Sequence, residues 1–107
     1  MTGIKELFYK RIYAEFLNFK NDMLTQDKEI IYRSSYKIEF FVNVYEILVD
    51  QVEKQSEAVL YRLVYQCTGI LESLYEEWLR MEDNAFSELQ DYVYKELFKK
   101  SELKEAA

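Results

Sequence analysis

The chain contains no proline, and its only glycines are Gly3 and Gly69. Tight β-hairpin turns depend mainly on glycine and asparagine, which adopt positive backbone φ angles, and other turns depend on proline, which fixes φ. A chain so poor in these residues favours long helices joined by short loops. Its 107 residues fit one compact domain. The sequence therefore predicts a single all-α domain that spans residues 1–107.

Apolar side chains recur with helical spacing through the first half of the chain. They predict a first helix over about residues 3–21 and a second that begins near Gln26, with Thr25 as its cap. The second helix is expected to be central and most buried. Its inward side should be formed by apolar residues seven apart and by a second series between them: Ile31, Ile38, Tyr45 and Val52, with Ser34, Phe41 and Leu48. Residues 38–44 also suit a strand, but the seven-residue spacing continues on both sides and favours a helix.

Two or three further helices follow a polar break at residues 50–56. A third apolar face covers residues 59–67, and Thr68 is expected to cap the next helix at the Thr68-Gly69 connection. The inward side chains of that next helix should be Leu71, Leu74, Tyr75 and Trp78, and those of the last should be Phe86, Leu89, Val93 and Leu97. Residues 101–107 should fray. The pattern thus predicts a compact bundle of four or five helices.

Residue types exclude most catalytic and metal chemistry. The chain has no histidine, the commonest general base and metal ligand, and Cys67 is its only cysteine. Glu72 and Glu76 share a helix face, but this face lies opposite the apolar stripe, so we expect solvent exposure rather than metal binding. We predict no catalytic, cofactor-binding or metal site, and therefore a protein that is not an enzyme.

Neither targeting nor membrane signals stand out. The N-terminus lacks the basic start and apolar run of a secretory signal, which favours a cytoplasmic location. The most apolar stretch, residues 38–49, is interrupted by Glu39, Asn43 and Glu46. We therefore expect no membrane span.

Charge is concentrated in one window of the sequence. Residues 72–91 contain seven acidic residues and one basic residue, Arg80, and their net charge of −6 equals that of the whole chain. The acidic residues are Glu72, Glu76, Glu77, Glu82, Asp83, Glu88 and Asp91. They could form a docking surface for a basic groove of another protein, or simply a solvated helix face. Their sign disfavours direct nucleic-acid binding.

Ten tyrosines, many of them at the borders of the apolar stripes, are the second distinctive feature. A tyrosine in such a position can bury its ring and keep its hydroxyl in water, which is common both at core edges and at protein interfaces. Several exposed tyrosines on one face would favour a homodimer or another partner.

Two segments resemble a family of short bacterial proteins that is carried as a domain of unknown function and often found on mobile elements. Residues 7–16 (LFYKRIYAEF), followed by 24–26 and 29–31, resemble the family's opening. Residues 71–79 (LESLYEEWL) resemble its Leu-x-x-Leu-Tyr-x-x-Trp-Leu segment, and residues 88–91 resemble the turn that follows. The resemblance carries over no catalytic residue.

The mobile-element setting that this resemblance implies makes a role against host defence conceivable. By size, charge and helical class the chain is similar to small anti-CRISPR proteins, which obstruct the DNA-binding surface of an effector nuclease. Our first hypothesis is thus an acidic inhibitor of a protein partner with a basic surface. The alternative is a homo-oligomeric structural or regulatory domain of a mobile element.

Overall fold

Six α-helices make up most of residues 3–81 and 85–99, the parts of the chain that the computed structural model describes. They are α1 (Gly3–Leu24), α2 (Lys28–Arg33), α3 (Ser35–Gln51), α4 (Glu57–Gln66), α5 (Ile70–Arg80) and α6 (Leu89–Val93). Short 3-10 turns occupy Val52–Lys54 and Phe86–Glu88, and α6 continues as a π-helix over Tyr94–Lys99. No strand occurs within these two ranges, so the all-α class is confirmed. The predicted fraying of residues 101–107 lies outside them.

One hydrophobic core joins five of the six helices, all except α2. Ile4, Phe8 and Ile12 of α1 are buried with the predicted four-residue spacing. α3 contributes Phe40, Val44 and Leu48, each fully buried, and packs against α1, α5 and α6. Burying one such side chain stabilises a fold by about 1.5–3 kcal/mol. The central position predicted for the second helix is therefore confirmed for its α3 portion.

The predicted second helix is divided at Ser34, and this division raises the number of α-helices to six in the described chain. The Ser34 amide still donates to the Ile30 and Ile31 carbonyls, while its carbonyl accepts from Ile38 at the start of α3. The preceding helix, α2, contains no buried residue. No core contact therefore holds α2 in line with α3. The prediction of four or five helices is wrong because the predicted second helix is two helices in the structure.

Side-chain burial along α3 follows the ordinary helical period rather than a seven-residue seam. Phe40, Phe41, Val44 and Leu48 are buried, whereas Ile38 and Tyr45 are only half-buried. A seven-residue repeat suits two helices that wrap around each other. α3 instead packs against α1, α5 and α6 at once, so its buried face is broader and centred elsewhere.

The junction between α4 and α5 is held by a charged pair on α1. Arg11 donates to the carbonyl oxygens of Val64, at 2.8 Å, and Cys67 at the end of α4. Glu15 accepts from the first amides of α5, those of Ile70 (3.1 Å) and Leu71 (2.9 Å). The Arg11 Nε and Glu15 Oε2 atoms are 2.7 Å apart. Glu15 thus provides the cap that the sequence assigned to Thr68.

Candidate functional site

The structure separates the two ends of the acidic window predicted over residues 72–91. Glu72 and Glu76 are exposed on α5, as predicted from their position opposite the apolar stripe, and Glu77 is half-buried. Glu88 and Asp91 are exposed around the start of α6. Glu82 and Asp83 lie outside the described residues. Glu72 borders a depression with residues of α1 and α3, whereas Asp91 borders another with Gln51 and Tyr94.

Three of the five described acids in this window form ion pairs. The Glu72 carboxylate is 3.1 Å from Lys37 Nζ, that of Glu77 is 3.1 Å from Arg80, and that of Asp91 is 3.0 Å from Lys95. Only Arg80 of these three bases belongs to the window itself. Counting charges along residues 72–91 therefore overstates the negative charge that this surface offers to a partner.

A stronger acidic feature lies on the outer side of α3. Glu39, Glu46 and Asp50 are all exposed, and with Asn43 they follow one line along the helix, because steps of three, four and seven residues return to the same face. From Glu39 to Asp50 the line covers about 16 Å along the helix axis. We call these three acids the α3 acidic stripe.

The α3 acidic stripe forms one wall of a surface groove of about 540 Å³, which we call the α3 groove. The opposite wall comes from the turn before α6 and the start of that helix, and the groove is lined by Glu39, Asn43, Glu46, Ile47, Asp50, Phe86, Ser87, Leu89 and Gln90. Three of these residues are acidic and none is basic. Ser87 and Gln90 also line the adjoining depression that contains Asp91. The groove therefore combines a negative wall with apolar contacts from the half-buried Ile47 and Phe86.

Most of the stripe's charge is available to a partner. Among residues 3–81 and 85–99, Glu39 and Glu46 have no ion-pair partner, and Asp50 has only a long 3.8 Å contact with Lys54. Both side chains of that contact are well exposed, so solvent screening leaves it weak. A cation that approached the groove would thus meet little competition from the protein's own bases.

The sequence analysis missed this groove because residues 1–71 are nearly balanced in charge, with ten acids and nine bases. A window count averages over all faces of a helix. The signal that could have identified the stripe is the spacing of Glu39, Asn43, Glu46 and Asp50 on one helical face. The other wall, residues 86–90, is distant in sequence and could not be paired with α3 from the pattern alone.

The depression that contains Glu72 is chemically different. Lys37 Nζ lies 5.7, 5.5 and 5.3 Å from the ring centroids of Phe19, Phe41 and Tyr75, and it also pairs with Glu72. Cation–π contacts of this kind hold the ammonium against α1, α3 and α5. Burial, together with the nearby Tyr36 and Glu72, raises the pKa of Tyr75. These contacts already satisfy Lys37 and assign it a structural role.

The tyrosines divide between the core and the surface. Tyr92 is buried, donates to the Leu74 carbonyl at 2.7 Å and packs edge-on against Trp78, whose indole donates to Tyr36 at 2.8 Å. Burial and the charges of Glu96 and Glu77 raise the pKa of Tyr92. Tyr32, Tyr61 and Tyr65 are instead exposed. The tyrosines therefore do not share one environment: Tyr92 is part of the core, whereas Tyr32, Tyr61 and Tyr65 face solvent.

Within the described ranges, no group of three or more histidine, cysteine, aspartate or glutamate residues is arranged to hold a metal ion. In the same ranges, no helix has both the length and the apolar character needed to cross a membrane. No protein-family model matches the chain, and no curated protein or solved structure matches it either.

Proposed function

We propose that the protein is a non-enzymatic binding protein that docks on a basic surface of a protein partner through the α3 groove. The observation that carries this proposal is the groove lining, in which the described residues include three carboxylates and no basic side chain. Complementary potentials guide two proteins toward each other and select against wrong partners. The half-buried Ile47 and Phe86 supply the apolar contact that such an interface needs at its centre.

The sign of the charge points to a class of partner. A negative groove repels the phosphates of nucleic acids, whereas it attracts the lysine and arginine side chains with which other proteins bind those phosphates. An acidic protein that occupies such a basic surface blocks access of the nucleic acid. The sharpest form of the proposal is therefore an inhibitor that obstructs the DNA-binding surface of a nuclease, and a CRISPR effector nuclease is the candidate suggested by the chain's similarity to small anti-CRISPR proteins.

The acids of residues 72–91 define a competing docking surface, and neutral substitutions distinguish the two. One variant neutralises the α3 acidic stripe through Glu39→Gln, Glu46→Gln and Asp50→Asn. A second neutralises the described acids of the window that lie on α5, through Glu72→Gln, Glu76→Gln and Glu77→Gln. A control removes three exposed acids elsewhere, through Glu6→Gln, Glu29→Gln and Glu57→Gln. All three variants carry a net charge of −3, because each loses three acids from a chain of −6.

The measurement is inhibition of DNA cleavage by CRISPR effector nucleases, together with the Kd of the complex over a range of salt concentrations. We expect the stripe variant to bind about tenfold more weakly than the control, which corresponds to about 1.4 kcal/mol. Binding should also weaken with added salt, since exposed charges are screened. Equal inhibition by the stripe variant and the control would contradict docking through the α3 groove, and a selective loss in the window variant would assign it to α5 instead.

A further inference from the structure

The acids of the α3 groove are unevenly spaced along one helix. Glu39 and Glu46 are seven residues apart, whereas Glu46 and Asp50 are four apart. At the helical rise per residue, these two intervals are about 10.5 and 6 Å along the axis of α3. A partner that brings one base to each acid must therefore present its bases at the same two intervals.

Another helix matches this spacing better than an extended segment does. In a strand, side chains on one face repeat every two residues, or about 6.7 Å. Bases spaced in that way reach Glu46 and Asp50, but the nearest one on the same face misses Glu39 by about 3–4 Å. A helix with bases at positions i, i+4 and i+11, or i, i+7 and i+11 in the opposite direction, reproduces both intervals and keeps all three bases on one face.

The apolar part of the groove also suits a helix. Ile47 and Phe86 are half-buried beside the acids. The Phe86 ring is held by stacking on Tyr36 and Trp78, with centroid distances of 5.2 and 6.2 Å. A ring that is already fixed loses little side-chain entropy when a partner packs on it. An amphipathic helix binds a groove in this way, with its apolar residues placed against such side chains.

The two walls of the groove differ in charge, and this restricts where the bases of a partner can lie. All three acids belong to the α3 wall, whereas the residues that line the opposite wall are uncharged: Phe86, Ser87, Leu89 and Gln90. Ser87 and Gln90 are exposed and can form hydrogen bonds with polar side chains. A complementary helix therefore carries bases along one edge, apolar residues in the middle and uncharged polar residues along the other edge.

We propose that the α3 groove binds a basic amphipathic helix of its protein partner, with three lysine or arginine residues at intervals of four and seven along one edge. This inference rests on the proposed function and adds to it the form of the segment that is recognised. The helix lies along α3, at the distance of about 8–10 Å between axes that is usual for packed helices. Each base then meets one acid of the α3 acidic stripe.

Synthetic peptides of identical composition test the spacing. They are alanine-based, carry three lysines and the same leucines, and have about 18 residues so that they are partly helical in water. Two matched peptides place the lysines at i, i+4 and i+11 and at i, i+7 and i+11, and a spacing control places them at i, i+2 and i+10. We expect one matched peptide to bind about tenfold more tightly than the spacing control, because two more of its ion pairs can form.

Fluorescence anisotropy measures the Kd values, and circular dichroism checks that the peptides are equally helical. The matched peptide that binds more tightly gives the direction of the helix along α3. A further version of that peptide contains one central proline, which breaks the helix and leaves the charges unchanged. We expect this version to bind about as weakly as the spacing control.

An exchange within the groove tests the same spacing from the protein's side. Glu39→Asn combined with Asn43→Glu keeps the net charge at −6 but changes the intervals between acids from seven and four to three and four. The matched peptide should bind this variant about fivefold more weakly than the wild type, since one ion pair is lost. A peptide with lysines at intervals of three and four should prefer the variant. Circular dichroism checks that the variant is folded.

The outcomes separate this inference from the proposed function. If all the peptides bind with equal Kd and still require the α3 acidic stripe, the helical partner is wrong but docking through the groove stands. The same holds if the proline version binds as tightly as its parent. If the peptides bind the wild type and the stripe variant equally, both the inference and the proposed function are overturned.

Discussion

At the scale of single residues, Glu15 shows how one side chain on α1 fixes the start of another helix. Its two carboxylate oxygens accept from the Ile70 and Leu71 amides, and its pairing with Arg11 links the same junction to the end of α4. Both charged side chains are mostly buried, with exposed fractions of 24% for Arg11 and 18% for Glu15. Removing either charge leaves the other with poor access to water.

We therefore expect Glu15→Ala to lower the free energy of unfolding by about 2–4 kcal/mol, because it removes two charge-assisted hydrogen bonds and leaves Arg11 without its carboxylate. Urea denaturation followed by circular dichroism measures this. Glu29→Ala is the matched control, since Glu29 forms the same i,i+4 pair with Arg33 but at an exposed site, and it should cost less than about 0.5 kcal/mol. Similar losses in the two variants would contradict the capping role of Glu15.

Tyr92 predicts how stability responds to alkaline pH. Its folded-state pKa is raised, first by burial and then by Glu96 and Glu77, so the fold favours the neutral phenol. Its contribution to stability is fully present below the ordinary tyrosine pKa of 10.0 and is lost as the pH rises above that value, where the unfolded chain releases the proton first. The free energy of unfolding should thus fall above about pH 10.

Urea denaturation at a series of pH values checks this expectation. Tyr92→Phe should be less stable at neutral pH by about 1 kcal/mol, because the Leu74 carbonyl loses its donor, but its stability should fall less steeply above about pH 10. Tyr65→Phe is the control for loss of a phenol hydroxyl, since Tyr65 is exposed. Parallel profiles for Tyr92→Phe and the wild type would contradict the assignment.

At the scale of helices, the caps of α2 and α4 are expected to differ in whether they stabilise one helix or the whole fold. Asp27 caps α2 by accepting from the Ile30 amide at 2.9 Å, and Ser56 caps α4 by accepting from Val59 at 3.3 Å. α2 buries no residue, whereas α4 buries Val59, Leu60 and Leu63. Loss of the first cap should affect only α2, whereas loss of the second should weaken a helix that the core requires.

Accordingly, Asp27→Ala should increase amide hydrogen exchange within residues 28–33 and change the free energy of global unfolding by less than about 0.5 kcal/mol. Ser56→Ala should lower the global value by about 1 kcal/mol, the usual cost of losing an N-cap. Exchange followed by mass spectrometry together with urea denaturation measures both effects. A global loss in Asp27→Ala as large as that in Ser56→Ala would show that α2 contributes to the core.

Local pattern predicted the helices better than it predicted their ends. α5 follows the prediction closely, since Leu71, Leu74 and Trp78 are buried opposite the exposed Glu72 and Glu76. The cap of α5 was wrong because Glu15 is 55 residues from Ile70 in sequence, and no local signal reveals such a contact. The division at Ser34 was missed because Ile31 and Ile38 continue the apolar spacing across it. In the structure, the buried side chains begin only in α3, and α2 has none.

At the scale of the whole molecule, tertiary contacts decide where the negative charge of the protein is exposed. The acidic window was predicted from a charge count along the sequence, and residues 72–91 do contain six more acidic than basic residues. Folding pairs Glu72 with Lys37, a residue 35 positions earlier, and joins α3 to residues 86–90 across the groove. The sequence could indicate that the protein is acidic and helical, but the place where its charge is most available depends on tertiary contacts.

Binding of a basic probe tests directly whether the α3 groove is the docking surface, without knowledge of the natural partner. The experiment titrates the isotope-labelled protein with an arginine-rich peptide and follows the backbone amide resonances. We expect the largest shifts within residues 39–50 and 86–91, and we expect them to disappear in the variant that neutralises the α3 acidic stripe. Shifts spread evenly over all exposed acids, or centred on residues 72–77, would contradict docking at the α3 groove.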